Sequence, residues 1–214
     1  MAEIKINGNV VLDLVMTQPR VGTWFADAQI IGKVDVSGPV LLTDGVMQYA
    51  GATVRTGANS GRTFARIVGG AGGLSTTIGP AHYQSAPAGK IIGDICRAAK
   101  ETKSLLIDPR ILLKKMPYWS RTQGTAGAAL SEIADALDVV WRVLPTGGVW
   151  FGDPDFAVPA ARDYLVLDQD PLDGRYTIAI DGLGLIVGMT QSTGIVRRIE
   201  YAIDDRARAR YWVD

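Results

Sequence analysis

Ala129-Leu130-Ser131-Glu132-Ile133-Ala134-Asp135-Ala136-Leu137 is followed, one residue later, by Val139-Val140-Trp141-Arg142-Val143-Leu144. The change of residue type across that boundary decides the class of fold. Leu130, Ile133, Ala134 and Leu137 recur at helical spacing, which predicts an amphipathic helix beginning near Thr125. Alone, the first segment imitates the opening helix of a helix-turn-helix unit, which needs a recognition helix three or four residues on. The residues found there are β-branched and aromatic instead. Val149-Trp150-Phe151 answers them across Pro145-Thr146-Gly147-Gly148, so the helix leads into a β-hairpin.

Moving toward the N-terminus, Ser85 reads as a helix N-cap with Pro87 in the first turn, and Ile92, Ile95, Cys96 and Ala99 form the apolar stripe of a second helix. Between the two helices, Asp108-Pro109 and Pro117 interrupt any long helix over residues 105–121. Earlier still, Asn7-Gly8 tolerates the positive φ of a two-residue hairpin turn, with Val10, Leu12 and Leu14 expected on one face of the strand that follows. Further strands are predicted over residues 28–36, 46–56 and 62–68. Beyond the hairpin, Tyr176, Ile178 and Ile180 alternate with polar or small residues, as do Ile199, Tyr201 and Ile203.

The expected fold is mainly β with an α/β insertion. Two small β-barrel regions, 1–84 and 153–214, are separated by two helices and a hairpin in residues 85–152. No internal repeat of fixed period is visible.

Composition narrows the function classes. The 214 residues carry 22 Lys+Arg and 22 Asp+Glu, a formal charge of zero, which disfavours a protein whose main task is coating nucleic acid. One cysteine and one histidine exclude a disulfide framework and a Cys/His zinc cluster. The opening Met1-Ala2-Glu3-Ile4-Lys5-Ile6 lacks the pattern of a secretion signal, and no apolar run reaches the length of a membrane helix. Residues 183–189 are the most apolar of the late segments, but they are short and broken by Gly184 and Gly188. These features predict a soluble chain made in a cytoplasm.

The local motifs with chemical potential are incomplete. Gly69-Gly70-Ala71-Gly72-Gly73 follows a predicted strand but has Ser75 where a dinucleotide fingerprint needs its third glycine, and it reads as a flexible turn. Asp168, Asp170 and Asp173-Gly174 hint at a calcium loop, yet Leu172 and Ala179 occupy ligand positions. His82 has no GxSxG serine to serve, and it reads as a surface residue of a loop. Cys96 reads as a small core hydrophobe. A hydrolase working through an Asp/Glu pair, with Glu132 and Glu200 as the residues to test, stays open as an enzyme alternative. No cofactor or metal is expected. At the C-terminus Arg206, Arg208 and Arg210 would line one side of an extended strand ending at Trp212. They form either a solvated edge that resists pairing, or a subunit contact or channel wall facing nucleic acid.

Pro117-Tyr118-Trp119-Ser120-Arg121-Thr122-Gln123-Gly124-Thr125-Ala126-Gly127-Ala128-Ala129-Leu130, continuing through Asp138-Val139-Val140-Trp141-Arg142-Val143-Leu144 to Gly148-Val149-Trp150-Phe151-Gly152, resembles the middle of bacteriophage tail baseplate hub proteins. The strand ending Val68-Gly69-Gly70, Tyr83 before a short helix, and the closing Arg197-Arg198-Ile199-Glu200-Tyr201 with its arginine-rich strand are similar too. The resemblance implies a non-enzymatic structural protein of the virion. It would form a homotrimeric ring of six barrels joining the hexameric tail tube, or a distal tail protein, to a trimeric spike or tail-tip protein. DNA would pass through without sequence-specific binding, and the chain itself would not insert into membrane. No catalytic residues carry over. Of five tryptophans, Trp141 and Trp150 are expected in the core, and others, Trp212 among them, can anchor contacts.

Overall fold

A computed structural model describes residues 3–153, 158–159, 164–204 and 206–213. Met1 and Ala2, and much of the start of the expected second barrel region, lie outside the described residues.

The Asn7-Gly8 turn has φ values of 49° and 82°, which gives the hairpin its tight reversal. It joins β1 (Lys5–Ile6) to β2 (Asn9–Gln18). The chain continues through β3 (Phe25–Ile31), β4 (Gly38–Thr43), β5 (Gln48–Asn59) and β6 (Arg62–Gly69). These six strands follow the order β1-β4-β5-β6-β3-β2, and the β1–β2 pairing closes them into a barrel. Alternation supplies the interior: Ile6, Leu14, Met16, Ala26, Ile30, Leu42, Tyr49 and Ile67 are all fully buried. Leu12 departs from the expected face. A β-bulge between Val11 and Asp13 shifts the alternation by one residue, leaving Leu12 exposed and Leu14 inside.

The insertion carries β7 (Thr77–Ile78), β8 (Ala81–Pro87), α1 (Ala88–Ala98), α2 (Pro109–Leu113), β9 (Lys115–Arg121), β10 (Gly124–Thr125), α3 (Ala126–Leu137), β11 (Val140–Val143) and β12 (Val149–Gly152). α3 begins where expected, and the Thr125 hydroxyl accepts from the Ala128 N–H at 3.2 Å. α1 begins differently from the sequence expectation. Ser85 sits within β8 at φ 50°, and Pro87 is the N-cap, because pairing with β9 holds the chain extended up to Pro87. α1 and α3 pack together, and Ile91, Ile92, Ile95 and Cys96 of the one and Leu130 and Ile133 of the other are buried. Each such side chain contributes about 1.5–3 kcal/mol on burial. The β11–β12 hairpin brings Trp141 and Trp150 into the core as expected.

The remaining strands are β13 (Val158–Pro159), β14 (Val166–Asp170), β15 (Arg175–Ala179), β16 (Met189–Gln191), β17 (Gly194–Ile203) and β18 (Arg208–Val213). Their neighbours run β13-β16-β17-β18-β15-β14. Numbered within each half, both sets read 1-4-5-6-3-2. The match extends to irregularities: β-bulges fall between Val11 and Asp13 and between Val166 and Asp168, and again between Thr53 and Arg55 and between Val196 and Arg198. Aligning the bulges makes Ile30 equivalent to Ile178 and Arg62 equivalent to Arg208, along either route through the sheet. The chain is thus a duplication. The halves differ at β13–β16, which is parallel where β1–β4 is antiparallel, and in closure: among the described residues β13 does not pair with β14 as β1 does with β2, so only the first of the two expected barrels closes.

The halves are joined by β2 and β17, which pair antiparallel from Gln18↔Ile199 to Leu14↔Ile203. Behind this seam lies a buried polar cluster. The Tyr49 hydroxyl donates to Leu183 O at 3.0 Å and accepts from Gln18 Nε2 at 2.9 Å, while the Tyr201 hydroxyl donates to Leu185 O. The Leu183 N–H donates to Asp44 Oδ2 at 2.6 Å. Burial pushes both tyrosine pKa values up, so the hydroxyls remain protonated donors. The apolar stretch noted at residues 183–189 is therefore a strap between the halves, with Leu183, Leu185 and Val187 buried.

Candidate functional site

The β2–β17 seam makes one uninterrupted run of eight strands, β5-β6-β3-β2-β17-β18-β15-β14. One side of this run faces the two interiors. The other faces outward, and residues directly opposite on neighbouring strands share it. In the first half it carries Asp13, Val15, Asp27, Gln29, Arg55, Phe64 and Arg66, which line an open concavity of about 450 Å³. Arg66 pairs with Asp27 at 3.0 Å and lies 5.1 Å from the Phe25 ring centre, while Arg62 donates to Gln29 Oε1 at 2.6 Å.

In the second half the same face carries Arg208, Arg210 and Trp212, with Ala209 and Tyr211 buried between them. Arg210 stands opposite Glu200 on one side and Thr177 on the other. Trp212 stands opposite Arg198 and Arg175; the Arg198 guanidinium lies 4.9 Å from its ring and also pairs with Glu200. The Trp212 indole N–H donates to Asp173 at 3.4 Å. Arg206 falls outside this row because β18 begins at Arg208. Its backbone N–H donates to Asp204 at 2.7 Å and holds that carboxyl below the usual carboxylate range, with the Arg208 guanidinium 3.4 Å away adding to the effect. Counting register partners, the face bears seven arginines (55, 62, 66, 175, 198, 208, 210) against five acids (13, 27, 168, 170, 200). The small excess leaves it without the strong field of a nucleic-acid-gripping surface.

The motifs weighed for chemistry resolve into structural roles. The glycine run does cradle a carboxylate, but it is the chain's own. Glu101, buried, accepts from the Ala71 N–H at 2.8 Å and the Gly73 N–H at 2.7 Å. Gly70 and Gly72 adopt φ near 80°, and a Cβ on Gly70 would lie 2.4 Å from Glu101 Oε2. No sequence spacing links Glu101 to the run, so the partner emerges only in three dimensions. His82 is exposed, on strand β8 instead of a loop, edge-on to Tyr118 with ring centres 4.6 Å apart. Cys96 is buried in the α1 stripe, and burial pushes its thiol up to about 11. Asp168, Asp170 and Asp173 flank a hairpin turn, and Asp170 pairs with Arg175 at 3.7 Å. Among the described residues no group of acidic, His or Cys side chains is arranged to hold a metal ion.

Glu132 is exposed on α3, whereas Glu200 is ion-paired on β17. A glycosidase acid needs a carboxyl held above its ordinary pKa. The carboxyls that clearly shift, Asp35, Asp94, Asp108 and Asp204, all shift down through local hydrogen bonds. Trp24, Trp119, Trp141 and Trp150 are buried, which leaves Trp212 as the tryptophan on the outward face. Among the described residues no helix is long and apolar enough to cross a membrane.

Sequence reasoning overlooked the rest of this face, including Arg55, Arg62, Arg66 and Asp27. The available signal was a short echo, Val11-Leu12-Asp13 and Val166-Leu167-Asp168, at equivalent positions of the two halves.

No protein-family model matches the sequence, and no curated protein matches it significantly. Solved structures do match. The 43 kDa tail protein of prophage MuSo2 from Shewanella oneidensis is 10% identical with a TM-score of 0.67, covering 98% of this chain and 95% of that one. A tail protein from Neisseria meningitidis is 12% identical with a TM-score of 0.64, covering 98% and 94%. An Escherichia coli component of the type VI secretion system, described as structurally similar to the T4 bacteriophage tail proteins gp27 and gp5, is 11% identical with a TM-score of 0.67, covering 98% and 75%. At these identities the likeness is one of architecture, and the duplicated, mainly β chain described above has the fold of bacteriophage tail proteins.

Proposed function

We propose that this chain is a non-enzymatic structural component of a phage tail, a hub that forms a homotrimeric ring on the tail axis. The observation that carries the reading is the duplication: two halves of identical strand order joined in one continuous sheet. Three copies present six similar units to a hexameric tube or distal tail protein above, while the ring keeps a threefold face for a spike or tail-tip protein below. We assign residues 1–84 and 153–214 to the two barrel units and residues 85–152 to the insertion between them. The outward concave face, with Arg208, Arg210 and Trp212 in its second half, lines the passage. Arginines interleaved with acids let a polyanion slide past without counterion-driven trapping. The protein resides in the virion and is made in the host cytoplasm.

Imaging of purified particles tests the placement, with density for this chain on the tail axis as the expected result. Its absence from the tail would overturn the proposal. Arg208→Glu/Arg210→Glu particles are expected to assemble but to deliver DNA poorly; normal delivery would remove the channel role from this strand.

A further inference from the structure

The β2–β17 seam uses strand position 2 of the first half and position 5 of the second. Each half has one more of these positions, and both are left over. On β5, pairing with β4 stops at Thr53, so the far part of that edge has no strand beside it among the described residues. On β14, one edge pairs with β15 and no strand among the described residues takes the other. These two edges end the eight-stranded run.

We propose that the β5–β6 hairpin of one copy receives the β14–β15 hairpin of the next, repeating between copies the junction that β2 and β17 make within one. This rests on the ring reading above and names the surface that closes the ring. The equivalences set by the paired bulges fix the register. Val15↔Ala202 within the chain becomes Asp170 of one copy opposite Asn59 of the next, and Leu172, in the turn just beyond β14, projects toward Gly57.

The chemistry at those positions is complementary. Leu172 sits at the hairpin turn with its side chain wholly exposed (102%), so covering it would remove apolar surface from water. Gly57 has no atom within 4 Å of where its Cβ would be, and its neighbour across the strand is the part-exposed Phe64. An apolar knob therefore meets an open seat floored by glycine and walled by an aromatic ring. Asp170 falls on the same face as Arg62, with Asn59 between them. Leu165, just before β14, and Leu167 within it are both exposed, beside the charged Asp168 and Asp170.

Disulfide trapping tests the register. Cysteines at directly opposed strand positions lie within bonding distance, and the native Cys96 is buried and silent. Val15→Cys/Ala202→Cys serves as the control and is expected to close within one chain. Under mild oxidation at high protein concentration, Asn59→Cys/Asp170→Cys is expected to convert most of the protein to covalent oligomers ending at the trimer. The corresponding single variants are expected to remain monomeric on non-reducing gels. Trimers by light scattering without cross-links would overturn this interface and leave the ring reading standing. Neither trimers nor cross-links would overturn both. A cross-link in Asp170→Cys alone would mark a symmetric β14–β14 pair and also overturn the proposal.

Discussion

Glu101→Gln isolates the physics of the glycine nest. In the native chain each carboxylate oxygen takes one backbone N–H, from Ala71 at 2.8 Å and Gly73 at 2.7 Å, and the residue is only 7% exposed. Glutamine preserves the shape and offers a single oxygen, so its amide nitrogen must face one of the two donors. The change loses one charge-assisted hydrogen bond, worth about 1.5–3 kcal/mol, and leaves a buried N–H unpaired at about 1–3 kcal/mol. These two costs overlap, and a net destabilisation of about 2–4 kcal/mol is expected. For a chain of this length that lowers Tm by roughly 5–15 °C. Urea unfolding followed by tryptophan fluorescence reads it directly, since Trp24 packs on Gly69 next to the loop. Glu132→Gln, exposed on α3, is the control and should stay within about 0.5 kcal/mol of the parent. Equal midpoints for the two variants would refute the nest.

Tyr49→Phe removes the donor to Leu183 O and the acceptor of Gln18 Nε2 in the buried seam. A loss of about 1–3 kcal/mol in denaturant unfolding is expected, and a neutral result would show that water replaces the hydroxyl. On α1, hydrogen bonds from Lys90 lead the effects that hold the Asp94 carboxyl below its usual range, with Arg97 and the Tyr83 hydroxyl adding to them. A depressed folded-state pKa makes this stabilisation present above the ordinary carboxylate pKa and lost as pH falls through the depressed value. Asp94→Asn should therefore flatten the acid limb of the stability–pH curve by less than about 1 kcal/mol, because its cationic partners are exposed. An unchanged limb would assign the slope to other groups.

The legible parts of this chain are the local ones. The Asn7-Gly8 turn, the Thr125 cap, the α3-to-hairpin transition and the burial of Cys96, Trp141 and Trp150 depend on neighbours a few residues apart, and periodicity reports those. Ser85 and Leu12 misled for one reason: pairing with distant strands, β9 for the first and β3 for the second, overrode the local preference. Half of the candidate face was visible as alternating arginines ending at Trp212. The other half was not, since Arg62, Arg66 and Asp27 become a surface only when β6 and β3 pair.

The sequence by itself determined the order of elements, the α/β insertion and a resemblance centred on residues 117–152. Only the tertiary structure decided that the two ends are copies of one another. The offset between equivalent positions drifts from 155 residues at Val11 and Val166 to 143 at Arg55 and Arg198, so no fixed period survives along the chain. Strand order and bulge positions survive because backbone hydrogen bonding constrains them, while the side chains that fill each interior remain free to change provided their volume and polarity suit.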